Sequence, residues 1–294
     1  MRYTLTVLFF FLLAMATNVR AAEQMSVNGV ARSFELIGAK AREPRPLIVA
    51  LHGNRGTGAQ FGRWANLQAL ADRHGLVIAL PDGLNNAWAD GRTAAEIRGK
   101  APPAGTDDVA FLSALAEKLV ADKVADRKRL YITGASNGGM MTYRMMCERP
   151  DLFAAGAGVI AVLTDGGIAG CKPGKSVPML IMNGTEDRIL HWARSGTYAG
   201  TDATVAHFRA LNGCTDKAAT QAYPDLDASD NSRVTRLAYT CPQGADVVLY
   251  RVDGGGHHWP SRANQARFEF ILGPRNRDIE AGEEIWAFFK RFSR

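Results

Sequence analysis

Gly134-Ala135-Ser136-Asn137-Gly138 follows an apolar run, Leu130-Tyr131-Ile132-Thr133, and opens onto Gly139 and a methionine-rich stretch. The pattern predicts a strand that ends in a sharp turn and re-enters as a helix, with the serine hydroxyl at the tip. Glycines flank the serine because side chains there would collide where strand and helix crowd together. The helix start aims backbone N–H groups at the serine, where negative charge on an attacked oxygen can be held. This turn implies a chain of alternating strands and helices and a serine placed for nucleophilic attack. A glycine-rich loop with a capping serine is the competing reading. The two are separated by whether an acid and then a histidine follow in the chain, each at a strand exit.

Both follow. Val177-Pro178-Met179-Leu180-Ile181-Met182 reads as a buried strand and runs into Asn183-Gly184-Thr185-Glu186-Asp187. An orienting carboxylate is needed just past a strand end, and either Glu186 or Asp187 can supply it. Asp246 to Val252 is a further strand, leading to Asp253-Gly254-Gly255-Gly256-His257-His258-Trp259-Pro260. A histidine on such a loop can swing over the serine as its general base. Of the histidines after Ser136, only His257 and His258 sit on a glycine-rich loop, and spacing does not choose between them. His207 lies in a helical stretch and reads as a packing or surface residue. Paired histidines also suggest metal, but no Cys or carboxylate cluster accompanies them at ligand spacing. No metal or organic cofactor is expected.

Earlier in the chain, Pro46 to Leu51 forms a near-continuous apolar strand that ends in His52-Gly53-Asn54-Arg55-Gly56-Thr57-Gly58. A His-Gly loop in this place supplies a backbone N–H to an oxyanion site, and the N–H of Asn137, next after the serine, supplies the second. His52 precedes the serine and reads as structural.

Residues 1–21 read as an export signal. Arg2 starts it, Leu5 to Ala16 is apolar, and Val19 and Ala21 fit small-residue cleavage after Ala21, with Ala16 the alternative site. The run falls short of the ~20 apolar residues a membrane span needs. What remains, 22–294, suits one large core rather than two domains. Removing Arg2 and Arg20 takes the formal charge from +6 to +4. That charge is spread without a Lys/Arg block, which argues against a nucleic-acid partner. Four cysteines, Cys147, Cys171, Cys214 and Cys241, in an exported chain suggest two disulfides, with three connectivities open. Export points to the periplasm or the extracellular space, with no stable membrane insertion once the signal is removed.

Further elements are a strand from Leu76 to Leu80 and a helix over Asp107 to Lys123. The helix has Val109, Leu112, Leu115, Ala116 and Leu119 on one face and is capped by Thr106 and the acids behind it. Another helix runs from Gly138 to Glu148 and is stopped by Pro150. Its Met140, Met141, Met145 and Met146 read as core. Ala203 to Leu211 is helical, 215–235 is a polar surface excursion, and Ile279 to Phe292 is amphipathic. The stretch Ser261 to Arg277 follows the histidine loop and is placed to wall a site. The alternation predicts a mostly parallel sheet covered by helices on both faces.

These blocks resemble the secreted polyhydroxybutyrate depolymerase and feruloyl esterase-like group of α/β-hydrolases. The likeness is carried by Leu51-His52-Gly53, Pro81-Asp82-Gly83 with Trp88, Asp107-Asp108-Val109, Gly134 to Met140, Pro150 to Ala155, Gly184-Thr185-Glu186-Asp187, Gly255 to Pro260 and Ile285 to Phe289. It spans most of the chain beyond about residue 30, and Gly-Gly-His-x-Trp-Pro is its most selective part. The resemblance implies an α/β-hydrolase fold and a serine carboxylic-ester hydrolase with Ser136 as nucleophile, Asp187 as acid and His257 as base. It implies oxyanion N–H groups at Asn54 and Asn137, and the pairings Cys147–Cys171 and Cys214–Cys241. Relatives often carry cysteine at the position of Asn54, and Trp-Asn where this chain has Trp88-Ala89. Trp259 and Trp88 become candidate substrate contacts, with a buried loop anchor as the competing reading for Trp259. The expected partner is an ester, feruloyl, acetyl or polyhydroxyalkanoate in type and polymeric in some of these cases. A serine peptidase on the same fold and a non-catalytic binding protein are the alternatives.

Overall fold

Strand β3 (Arg45–Leu51) shows why the central runs of this chain are apolar on both sides. Its Leu47, Val49 and Leu51 enter one hydrophobic cluster and its Ile48 and Ala50 enter another, so helices must cover both faces of the sheet. The computed structural model describes residues 22–38, 43–97, 99–263 and 269–294. The expected signal at 1–21 lies outside the described residues, as do 264–268 of the expected wall.

Ten strands among the described residues form one sheet. In chain order they are β1 (Glu23–Val27), β2 (Val30–Ile37), β3, β4 (Val77–Pro81), β5 (Ala125–Ala135), β6 (Ala155–Val159), β7 (Met179–Gly184), β8 (Ala219–Ala222), β9 (Arg233–Tyr239) and β10 (Val247–Asp253). Across the sheet the order is β1-β2-β4-β3-β5-β6-β7-β10-β9-β8. The run from β4 to β10 is parallel, and an antiparallel pair extends it at each edge.

The helices are α1 (Gly58–Trp64), α2 (Leu67–His74), α3 (Asp108–Ala121), α4 (Asn137–Glu148), α5 (Asp165–Gly170), α6 (Thr201–Asn212), α7 (Glu269–Leu272) and α8 (Ala281–Phe289). Phe111 of α3, Met141 of α4 and Phe208 of α6 share the cluster of Leu47, while Phe61, Leu70 and Phe289 of α1, α2 and α8 share that of Ile48. The fold is that of the α/β-hydrolases, with the parallel sheet and two-sided cover that the alternation predicts. The four methionines of α4 are all buried, as expected of core.

Several local expectations change. Of the expected caps of α3, Asp107 among the acids behind Thr106 does the capping, its carboxylate accepting from the N–H of Ala110, while Thr106 turns its hydroxyl to the Pro103 carbonyl. A carboxylate is the better partner at a helix N-terminus. The stretch 215–235 is not a plain excursion, because β8 and the start of β9 extend the sheet there. The sequence Ala155-Gly156-Ala157-Gly158-Val159 has too little side chain to announce a strand, yet it forms β6. A Cβ on Gly158 would lie 2.4 Å from the Tyr143 ring, so small residues there let α4 lie close on the sheet. Disulfides Cys147–Cys171 and Cys214–Cys241 are formed, in the pairing that the resemblance implied.

Candidate active site

Ser136 stands between β5 and α4 with φ 55° and ψ −120°, a conformation that L-residues rarely adopt. Three contacts hold the turn closed. The Ser136 N–H donates to the Val159 carbonyl at 2.9 Å. A Cβ on Gly134 would meet the Gly138 carbonyl at 2.4 Å, and one on Gly138 would meet the carbonyl oxygens of Leu51 and His52 at 2.4 and 2.5 Å. The flanking glycines are therefore a steric requirement of the strand–turn–helix approach.

Asp187 leaves the turn after β7. One carboxylate oxygen accepts from the N–H groups of Ile189 and Leu190, each at 2.8 Å, and the other meets His257 Nδ1 at 2.7 Å. Glu186, its rival, is exposed. The loop after β10 carries His257 and is pinned by the His257 N–H to the Leu272 carbonyl at 2.6 Å. It also lies hard against the acid-bearing turn, where a Cβ on Gly184 would come within 2.1 Å of the Gly255 carbonyl oxygen. His257 Nε2 lies 3.0 Å from Ser136 Oγ. Because Nδ1 faces a carboxylate it carries the proton, so Nε2 is free to accept from the serine hydroxyl. His258, the next residue of the same loop, is buried and borders a small cavity shared with Met182 and Val252, and burial pushes its pKa below the usual histidine value.

His52 is buried and holds two loops together. Its Nδ1–H donates to the Gly53 carbonyl at 2.8 Å, and its Nε2 accepts from the Gly83 N–H at 3.0 Å. Desolvation depresses its pKa, partly opposed by that bond to Gly53. It is a structural histidine. Asn54 and Asn137 border the cleft beside Ser136. The Asn54 side chain clasps the backbone of Lys100 through both its oxygen and its nitrogen. That of Asn137 accepts from the Trp88 N–H at 2.8 Å and donates to the Trp88 carbonyl and to Asp90.

Trp88 and Trp259 require a correction. Both are fully buried, and neither borders the cleft. Trp88 donates its indole N–H to the His52 carbonyl, and Trp259 packs edge-on against Phe61. Wide rings that fill space behind a wall cannot touch a ligand in front of it. The wall itself is made largely by residues that sequence reasoning passed over, among them Phe61, Trp64, Ile97 and Leu190, together with Leu272. Leu272 comes from the stretch expected to wall the site. Arg92, Tyr198 and Asp90 were also missed, since an Asp-x-Arg pair in a loop carries no signal of its own. The cleft has a volume of about 530 Å³.

The comparisons with known proteins point the same way. The model of the prolyl oligopeptidase family of peptidases matches residues 62–165, about a third of the chain, which includes Ser136 but neither Asp187 nor His257. NocK of Nocardia uniformis subsp. tsuyamanensis, a protein named as an esterase, is 29% identical over 281 residues, 89% of this chain and 80% of its own length. Feruloyl esterase C of Emericella nidulans is 29% identical over 243 residues, 78% of each chain. The chain is a carboxylic ester hydrolase. The solved acetyl xylan esterase of Aspergillus awamori shares the fold of this esterase at a TM-score of 0.61 and 15% identity, covering 92% of this chain and 99% of that one. Among the described residues no group of three or more His, Cys, Asp or Glu is arranged to hold a metal.

Proposed function

We propose that the chain is a secreted serine esterase working through Ser136, His257 and Asp187 by way of an acyl-enzyme. The observation that carries this reading is the hydrogen-bonded series Asp187–His257–Ser136 at the edge of a mostly apolar cleft. Ser136 Oγ attacks the ester carbonyl while His257 Nε2 takes its proton, and Asp187 stabilises the imidazolium formed. The N–H groups of Asn54 and Asn137 hold the oxyanion, each contributing about 3 kcal/mol. His257 returns the proton to the departing alcohol, then activates the water that releases the acid. Residues 22–294 act as one catalytic domain.

Export is supported by the signal-like 1–21 and by two disulfides, which persist in oxidising compartments. No described helix is long and apolar enough to cross a membrane. The substrates are feruloyl or acetyl esters of plant polysaccharide, or a polyhydroxyalkanoate polyester. The aromatic and aliphatic walls at Phe61, Trp64 and Leu190 suit an apolar acyl group, and the names of the relatives favour feruloyl and acetyl esters. A peptidase is the second reading, favoured by the family match at residues 62–165.

The test is hydrolysis of p-nitrophenyl acetate and butyrate, methyl ferulate, emulsified polyhydroxybutyrate and a chromogenic peptide by the purified chain, beside Ser136→Ala. Ester turnover that falls about 10⁴-fold or more in the variant is expected. Turnover of the peptide alone moves the assignment to the peptidase. Ester turnover that survives in Ser136→Ala removes the serine from the mechanism.

A further inference from the structure

Arg92 is the feature of the cleft that ester hydrolysis does not use. The residue borders a cleft whose walls are otherwise largely apolar, yet its side chain is only 7% exposed. Bringing a charge into such a place is costly unless it is paired, and here the pairing is thorough. Nε bonds both oxygens of Asp90 at 3.0 Å, and Nη2 bonds one of them at 2.6 Å. The Asp90 side chain is fully buried and accepts a further bond from Asn137 Nδ2 at 2.6 Å. Nη1 donates to the Tyr198 hydroxyl at 2.7 Å, and Tyr198 also borders the cleft. Burial is the largest single influence and works against the charge, but the bond to Asp90, the charge of Asp90 and the contact with Tyr198 together outweigh it, and the Arg92 pKa is raised.

A guanidinium has five N–H donors in a rigid plane. Asp90 takes the side-on fork, Nε and one hydrogen of Nη2, and Tyr198 takes one hydrogen of Nη1. Among the described residues, one hydrogen on Nη1 and one on Nη2 have no protein acceptor. A structural brace for Asn137 needs only the Asp90 fork. It does not explain a side chain with donors to spare at the boundary of the site.

We propose that Arg92 is a specificity-determining residue whose spare donors, beside the Tyr198 hydroxyl, receive a neutral oxygen acceptor carried by one limb of the ester. Hydroxyl, ether and carbonyl oxygens are the chemical class. A carboxylate is not, because Asp90 already neutralises Arg92, and a third buried charge would have no counter-ion within the cluster. The inference rests on the cleft beside Ser136 being the ester site. It adds that the preferred ester has an apolar body with a polar oxygen set away from the reacting carbonyl.

The experiment compares kcat/KM within matched pairs. Methyl cinnamate is set against its ring-hydroxyl, ring-methoxyl and ring-carboxylate derivatives on the acyl side. Pentyl acetate is set against 2-ethoxyethyl acetate, in which an ether oxygen replaces a methylene, on the alcohol side. The purified chain is expected to favour the neutral oxygen-bearing member on one limb by about ten-fold or more, the scale of a hydrogen bond to a charged donor. In Asp90→Asn/Arg92→Met, which replaces a neutral pair by a neutral pair, that preference is expected to collapse towards one. Arg92→Lys keeps the charge beside Asp90 without the second fork and is expected to lose most of the preference as well. The ratio is read within each variant, so a general loss of activity or stability cancels, as it would for a purely structural role. Equal turnover of the members of every pair overturns the proposal, as does a preference that survives both replacements or one that favours the carboxylate. No turnover of the plain esters would instead strike at the esterase reading itself.

Discussion

Replacing Asp187 by asparagine separates the orienting function proposed for this carboxylate from its bulk. The side chain makes three bonds, two from the N–H groups of Ile189 and Leu190 to one oxygen and one from His257 Nδ1 to the other. An asparagine amide has two ways to sit. With its NH₂ towards Ile189 and Leu190 it opposes two donors with donors and forfeits two bonds to a charged acceptor, each contributing about 1.5–3 kcal/mol. It therefore settles with its oxygen on those two N–H groups and its NH₂ facing His257. Nδ1 must then accept, the proton moves to Nε2, and Nε2 points a donor at Ser136 Oγ 3.0 Å away. A base with no free lone pair cannot take the serine proton. The expected fall in kcat on p-nitrophenyl butyrate is about 10⁴-fold, equivalent to about 5 kcal/mol of barrier. The fold should hold, with the melting temperature moving by less than about 4 °C, the shift that about 1 kcal/mol produces in a chain of this size. Glu186→Ala, at the exposed neighbour, should leave kcat within about two-fold, since surface changes away from a site are mild. A loss of less than ten-fold in the asparagine variant, or an equal loss in Glu186→Ala, would refute the reasoning.

Two further outcomes follow from the packing and the histidines. Gly138→Ala puts a Cβ 2.4 Å from the Leu51 carbonyl oxygen, a backbone atom that cannot swing aside. A loss of about 1–3 kcal/mol in urea unfolding is expected, together with lost activity, and an unchanged midpoint would contradict the close strand–helix approach. Burial depresses the pKa of His52, His207 and His258 below the ordinary value of 6.5. In such a case the unfolded chain takes up protons first as pH falls. Their contribution is therefore intact above about pH 6.5 and is lost as pH drops through the depressed folded-state values. Thermal melts from pH 7.5 to 5 should show this decline, and His52→Gln, which removes one of the three titrating groups, should flatten it. A decline of the same slope in that variant would show that His52 is not a source.

Much of the site was legible because the chemistry demands particular residues at strand exits, and strand exits are marked by glycine and by the end of an apolar run. Ser136, the acid at 186–187 and the histidine at 257–258 were all found in this way. The choice within each pair comes from the resemblance rather than from spacing, and the chain of bonds runs through Asp187 and His257. Neighbouring residues on a loop differ in direction, and direction is set by what the loop packs on. For His257 that is the Leu272 carbonyl and the turn at Gly184. Trp259 misleads for the opposite reason, since an aromatic ring next to a reactive residue in sequence can lie behind the wall instead of in it, and Trp88, a candidate through the resemblance, lies there too.

The sequence by itself determined the alternation of strands and helices, the serine turn and the order of the candidate site residues. Each of these depends on a local rule of side-chain period, of glycine sterics or of strand ends. Tertiary structure alone decided which surface faces the serine. The cleft draws Phe61 from α1, Arg92 from a loop, Tyr198 from the approach to α6 and Leu272 from α7. No local pattern in the sequence links these four. They meet because the parallel sheet brings the exits of β3, β5, β7 and β10 to one edge, and the segments that follow converge there.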